Sequence, residues 1–290
     1  MILRASDRLP PRAGLLLTIV VLVFLGAMPP STTTANAQLQ SNALFRGDVA
    51  CVFRPSAQRF YCDTGRDGGL AEYSVVFDTE TDIPLLGDVN GDGRDVACAY
   101  RPSTHQFFCD TARNGTPAEF VVLFGVSGDI PLLGDVDGDG RDDPCVYRPS
   151  LQRFYCDTAR NGDSAEYTVS FGTATDTPLL GDIDGDGRDD PCVYRPSTRQ
   201  FFCDVAHDGG ADEFAVQFGN DGDIPLLGDI DGDGRDDPCV YRPSLQRFYC
   251  DTARNGGMAE VEVAFGSAGD VPLIGSLGLP FGVAVPLVVR

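Results

Sequence analysis

The apolar positions of this chain recur in short alternating runs, and the repeated part sustains no helical period. Tyr167-Thr168-Val169-Ser170-Phe171 sets aromatic and aliphatic side chains on one face and hydroxyls on the other, the pattern of a half-buried strand. Pro178-Leu179-Leu180-Gly181 is short and apolar, and residues 192–195 and 201–204 are bulky on both faces, as in strands covered from two sides. Asn-Gly or Gly-Gly pairs (Asn114-Gly115, Asn161-Gly162, Gly209-Gly210, Asn255-Gly256) mark turns before the last strand of each set. The set recurs every 47 residues, and the aspartates that open an acidic loop fall at 88, 135, 182 and 229.

Four strands in 47 residues describe one propeller blade. A linear β-solenoid would use shorter rungs and ranks second. Complete blades begin near Asp82, Asp129, Asp176 and Asp223, which leaves one strand over at 271–275 and three strands at 49–77. Pairing these remnants builds a fifth blade and removes an open sheet edge. The predicted fold is therefore an all-β, five-bladed β-propeller closed by its N- and C-terminal segments. It spans 38–290, with repeat units at 42–88, 89–135, 136–182, 183–229 and 230–276 and a tail at 277–290. The apolar end of that tail, 282–290, is expected to cover the closing seam. Residues 1–37 read as an export signal: Arg4, Arg8 and Arg12, an apolar run at 14–27, then Ala35-Asn36-Ala37. The alternative is an uncleaved membrane anchor.

The acidic loop places oxygen at alternate positions. With Asp135 as position 1, carboxylates stand at positions 1, 3, 5 and 9 (Asp135, Asp137, Asp139, Asp143), and glycine at 4 and 6. Calcium takes roughly six to eight oxygens at about 2.4 Å from a flexible loop. Gly140 permits the sharp turn, and the Arg141 carbonyl can fill position 7. The same reading assigns Asp182, Asp184, Asp186, Arg188 and Asp190 to the next loop, and Asp229, Asp231, Asp233, Arg235 and Asp237 to the last. The copy at 87–103 offers Asp88, Asn90, Asp92 and Arg94 but has Val96 at position 9, so it is expected to be the weak one of about four Ca²⁺ sites. An EF-hand would need glutamate where Val146 stands. The alternative is a solvated acidic turn.

The DGDG loop, a short strand with Arg-Pro-Ser, an aromatic pair (Phe154-Tyr155) and a returning Phe-Gly (Phe171-Gly172) together resemble FG-GAP/VCBS-type repeats. Such repeats form the calcium-loop blades of integrin alpha-chain-like β-propellers and of many secreted bacterial proteins. The resemblance covers about 42–276. It implies a propeller and calcium, is a poor guide to ligand, and assigns no activity, since these repeats also occur beside catalytic domains.

All ten cysteines fall in pairs 11 apart: Cys51/Cys62, Cys98/Cys109, Cys145/Cys156, Cys192/Cys203 and Cys239/Cys250. An even count in an exported chain predicts disulfides. If Cys145 faces Cys156 across a hairpin, Val146 faces Tyr155, Tyr147 faces Phe154 and Arg148 faces Arg153. The net charge is −21, and without residues 1–37 it is −23. That disfavours nucleic acid and anionic membrane surfaces as partners. Much of the charge lies in the loops, where bound Ca²⁺ would offset it.

Catalysis needs a site that breaks the repeat, and little does. His105 stands where other modules have Gln or Arg, and His207 replaces Arg66, Arg113, Arg160 and Arg254. Both read as exposed surface variants. The aspartates keep metal-loop register, and no Gly-x-Ser-x-Gly or phosphate-binding loop is present. The expected function is a secreted or periplasmic, monomeric, non-catalytic binding or adhesion module for a glycan or extracellular protein. A scaffold without a ligand and a polysaccharide-active enzyme are the alternatives. Candidate contacts are the Arg-Pro-Ser hairpins and the Thr-Ala-Arg-Asn-Gly turns, repeated for avidity. Alternatively, Arg148 and its equivalents pair with loop aspartates, and Phe154 and Tyr155 pack between blades.

Overall fold

The computed structural model describes residues 47–76, 81–115 and 118–277. The expected export signal, residues 38–46, Phe77 and the tail beyond 277 lie outside the described residues. Among the described residues, twenty strands form five antiparallel four-stranded sheets. The chain opens with β1 (Val49–Arg54), β2 (Arg59–Cys62) and β3 (Tyr73–Val76). The first complete blade is β4 (Ile83–Gly87), β5 (Val96–Arg101), β6 (Gln106–Cys109) and β7 (Phe120–Leu123). The second is β8 (Ile130–Gly134), β9 (Asp143–Arg148), β10 (Arg153–Cys156) and β11 (Tyr167–Ser170). The third is β12 (Thr177–Gly181), β13 (Asp190–Arg195), β14 (Gln200–Cys203) and β15 (Phe214–Gln217). The fourth is β16 (Ile224–Gly228), β17 (Asp237–Arg242), β18 (Arg247–Cys250) and β19 (Val261–Ala264), and β20 (Val271–Gly275) follows.

The closing blade has the order β20-β1-β2-β3, as the leftover strands predict. Val49 pairs with Gly275 and Cys51 with Leu273. The inner strands β4, β8, β12, β16 and β20 each contact the next, and β20 returns to β4, so the ring is a closed five-bladed β-propeller. The hairpin register is the expected one, with Cys145 opposite Cys156 and Tyr147 opposite Phe154. The first hairpin strand begins earlier than residue 192, at Asp190, because that aspartate joins the ladder opposite Gly181.

Successive strand residues point to opposite faces, and each blade is covered on both. Tyr147, Phe154, Val169 and Phe171 of the second blade pack on Val193, Leu180 and Phe202 of the third. Tyr155, next to Phe154, turns the other way and meets Tyr100, Phe107 and Phe124 of the first blade. Both aromatics thus pack between blades. Equivalent clusters fill the remaining interfaces, with Phe53 and Ala99 standing in for Tyr and Val where the closing blade meets the first. The Phe-Gly step is part of this packing. Gly172 has φ +81°, and a Cβ there would lie 2.7 Å from Val193 Cγ1 and 3.3 Å from the Tyr147 hydroxyl.

A polar clasp joins the blades near the ring axis. The Asp142 N–H donates to the Asp88 carbonyl of the preceding blade (3.0 Å), and Asp142 Oδ2 accepts the Asp88 N–H (3.0 Å). Asp189 does the same to Asp135 (2.7 and 3.0 Å), Asp48 to Asp229 (2.6 and 3.0 Å) and Asp95 to Ser276 (2.5 and 2.9 Å). The Asp236 N–H donates to the Asp182 carbonyl at 2.6 Å. A Cβ on Gly87 would sit 2.5 Å from Asp142 Oδ2, so glycine is what admits the carboxylate. Burial, reinforced by neighbouring aspartates, pushes Asp48 and Asp142 up to about 7 and Asp95, Asp189 and Asp236 well above the usual range.

With divalent cations removed, the melting temperature is expected to fall as the pH rises from about 5 to about 8. Asp48 and Asp142 hold protons to about 7 in the folded ring, whereas an unfolded chain releases them near ~3.9. The folded state therefore binds more protons between those values, and its advantage is lost as the pH passes 7. A calorimetric series that stays flat or rises over this range would contradict the assignment.

Candidate functional site

The loops are folded by their own first aspartate. Asp135 Oδ1 accepts the N–H groups of Gly138 (2.7 Å) and Asp139 (3.1 Å), and Oδ2 accepts that of Gly140 (2.7 Å). Between them, buried Val136 seats the loop on the Cys145–Cys156 disulfide. Carboxylate oxygens of Asp135, Asp137 and Asp143 then lie within 4.8 Å of one another, as do those of Asp182, Asp184 and Asp190, and of Asp229, Asp231 and Asp237. Asp88, Asn90 and Val96 form no such group. In the closing blade Ser276 and Leu277 occupy positions 1 and 2, and Leu277 packs against Cys51 and Cys62.

The third carboxylate of each triad is buried, and in two of the three it accepts a loop N–H: Asp190 Oδ2 takes that of Ile183 (2.9 Å) and Asp237 Oδ2 that of Ile230 (3.1 Å). The second blade lacks that bond. Asp143 is fully buried, and its Oδ2 has no hydrogen-bond partner. Burial pushes Asp143 up to about 8 and Asp237 to about 7, although Arg160 and Arg254 pull the other way. A buried orphan oxygen that faces two further carboxylates is a donor set suited to a hard divalent cation. The residues present fit calcium.

In the first, second and fourth blades the position-5 aspartate and position-7 carbonyl face another cation, which the sequence reading missed. Arg160 Nη1 donates to the Arg141 carbonyl (3.1 Å) and to Asp143 Oδ1, and Nη2 donates to Asp139 Oδ2. Arg254 repeats this on the Arg235 carbonyl (3.1 Å), Asp237 Oδ1 (3.1 Å) and Asp233 Oδ2. Arg113 bonds both oxygens of Asp92 (2.8 and 2.7 Å) and the Arg94 carbonyl (2.9 Å). Each arginine sits in a Thr-Ala-Arg-Asn-Gly turn held by a buried aspartate. In the second blade Asp157 Oδ2 accepts the Gly162 N–H at 2.6 Å, and Arg160 takes a left-handed φ of 54°. In the third blade His207 takes the arginine's place. Its Nε2 meets Asp190 Oδ1 at 2.8 Å and its Nδ1 meets the Tyr167 hydroxyl at 3.0 Å. With a side chain only 11% exposed, His207 is not the surface variant expected. The signal was its exchange with Arg at a fixed repeat position. His105 stands half-buried at a hairpin tip.

Arg148 and its equivalents do not pair with loop aspartates. Each forks onto the aspartate that opens its blade: Arg148 Nε and Nη2 donate to Asp129 Oδ1 and Oδ2, both at 2.8 Å. Arg101 with Asp82, Arg195 with Asp176 and Arg242 with Asp223 repeat the fork. Arg54 with Asp270 does so across the closure. The guanidinium also lies over an aromatic ring, 4.7 Å from the Tyr155 centroid for Arg148. The fork is a bridge inside the blade because Asp129 and its equivalents just precede the inner strand.

The five disulfides join Cys51–Cys62, Cys98–Cys109, Cys145–Cys156, Cys192–Cys203 and Cys239–Cys250, each across directly facing residues with Cα atoms 4.1 Å apart. They place the chain in an oxidising environment. Among the described residues no helix is long and apolar enough to cross a membrane. Between the blades, grooves open at the Phe-Gly step. One of about 310 Å³ lies between the second and third blades, beside Leu151, Phe202 and Ala211. One of about 790 Å³ lies between the third and fourth, lined by Arg199, Gln217, Asn220, Tyr249, Met258 and Glu262.

No protein-family model and no curated protein matches the chain. Among solved structures it is similar to a protein of unknown function from Bacteroides caccae (8% identity, TM-score 0.44, covering 73% of this chain and 71% of that one). It is also similar to an Agrocybe aegerita lectin that recognises non-reducing terminal N-acetylglucosamine (15% identity, TM-score 0.38, 60% of this chain and 49% of that one). The V. cholerae biofilm matrix protein Bap1 is a third (14% identity, TM-score 0.30, 77% of this chain and 40% of that one).

Replacing Arg148 by Ala is expected to destabilise the protein by about 2–3 kcal/mol, because it leaves the buried Asp129 carboxylate without its charged partner and with only the Val126 N–H. Arg148→Lys should recover only part of that, since an ammonium cannot make the fork. Chemical denaturation of the three proteins checks both, and equal stabilities would show that the fork contributes nothing.

Proposed function

We propose that this protein is a secreted, calcium-loaded β-propeller that binds an extracellular ligand in the grooves between its blades and performs no chemistry of its own. The observation that carries the reading is the groove between the third and fourth blades. It sets amide and charged groups of Arg199, Gln217, Asn220 and Glu262 around the apolar surfaces of Tyr249 and Met258. A concave site that combines an aromatic face with a few directed donors and acceptors suits a sugar. Arg242 and its equivalents line such grooves but are already forked to aspartate, so they shape the wall. Calcium in the loops would neutralise the buried triads and stiffen the edges from which the turns project. The disulfides and the signal-like residues 1–37 support export.

Calorimetric titration with Ca²⁺ is expected to show three sites with full carboxylate triads and a weaker fourth in the Asp88 loop, where Asn90 and Val96 replace two anionic ligands. Four equal sites, or none, would overturn the metal assignment. On a glycan array the protein is expected to give hits that weaken in chelator and disappear in Met258→Asp, a change at an exposed residue that should leave the melting temperature unaltered. Hits insensitive to Met258→Asp would move the site, and turnover of a polysaccharide would replace binding by catalysis.

A further inference from the structure

The loops differ in what already occupies them. In the first, second and fourth blades a guanidinium reaches in from the turn and bonds the oxygens at positions 5 and 7, and in the second and fourth also position 9. These are the oxygens from which a calcium ion would complete its shell. The arginine is positioned to stay there, because its turn is fixed by a buried aspartate and its backbone is held left-handed. The third blade alone differs. His207 is shorter and is held from the neighbouring blade by the Tyr167 hydroxyl. Within the loop it meets only Asp190 Oδ1, and no side chain of the described residues bonds the Asp186 carboxylate or the Arg188 carbonyl.

We propose that the turn residue (Arg113, Arg160 and Arg254, but His207 in the third blade) is a tethered cation that competes with metal for its own loop, so that the Asp182–Asp190 loop fills first. The proposal rests on the calcium reading above and goes beyond it, since loop sequences alone make the three full triads equal. A fixed positive charge that shares Asp143 or Asp237 opposes a divalent ion at close range. It must withdraw, or give up its bonds, before the metal can take positions 5 and 7. With the carboxylates of Asp182, Asp184 and Asp190 converging as in the sister loops, the third blade leaves positions 5 and 7 clear of a guanidinium, and His207 reaches only Asp190 Oδ1 within the loop. The guanidinium has a second consequence. It neutralises part of each loop's charge in the absence of metal, so the three Arg-bearing blades keep their loops closed when calcium is scarce.

The test is titration of the full chain with Ca²⁺ alone, at one fixed near-neutral pH, by calorimetry and by displacement of luminescent Tb³⁺. The wild type should show one site tighter than the others, and Asp184→Asn should remove it. His207→Arg, which copies the sister blades and so preserves the fold, should weaken that site by about tenfold or more. Arg160→Gln and Arg254→Gln should each convert one weaker site into a tight one. Unchanged titrations in His207→Arg, or weaker binding in both glutamine variants, would overturn the proposal while leaving calcium in place. If the wild type and every variant bind no Ca²⁺, the calcium reading falls and the proposal with it.

Discussion

A blade of this chain has two apolar faces and can bury neither by itself. Tyr147 and Phe154 need Val193 on one side, and Tyr155 needs Phe107 and Phe124 on the other. The only arrangement in which every face finds a partner is a ring, and five twisted sheets close it. Side-chain size then sets the interface. The Tyr–Phe pairs sit at 4.8 Å between centroids in four blades, and the closing blade keeps 4.9 Å with Phe53 in place of Tyr. Where Phe53 lacks the hydroxyl, Ala99 takes the place of Val, so the seam differs in chemistry but not in plan.

The acidic loops depend on that ring. Asp142 clasps the preceding blade through Asp88, while its neighbour Asp143 completes the triad of its own loop. One dipeptide therefore joins blades and lines a metal-ready pocket. The cost is a concentration of buried carboxylates, which the fold meets with backbone N–H groups, with arginines and, where neither suffices, with an orphan oxygen at Asp143. The disulfides add a floor: Val136, Ile183 and Ile230 each rest on a cystine, which couples loop position to hairpin register.

Much of this was legible in the chain because the repeat exposes its own grammar. A spacing of 11 between cysteines is enough to define the register that places Tyr147 against Phe154, and the odd strand at 271–275 is enough to require closure. The three triads were legible for the same reason. What was not legible lies between modules or across long loops. Arg160 is separated by 19 residues from the carbonyl it bonds, and nothing local says that a left-handed turn aims it there. Neither alternative for Arg148, a ligand contact or a loop aspartate, names its partner, because Asp129 lies before the inner strand, outside the loop that draws the eye. His207 looked superficial because exchange with arginine usually marks a surface, whereas here both residues serve a half-buried electrostatic task.

The closing blade also sets a clock. Synthesis runs from the N-terminal side, and domains tend to organise in that order. β1, β2 and β3 emerge first and can pair at once, with Cys51 and Cys62 facing each other. Their inner neighbour β20 is the last of the described strands to appear. Throughout that interval β1 presents a bare edge, the feature by which unfinished sheets are captured by chaperones or proteases. Arrival of residues 271–275 covers the edge, and the Arg54–Asp270 fork fastens it. An interrupted chain thus leaves β1 without its inner neighbour, so the last described strand is what finishes the closing blade.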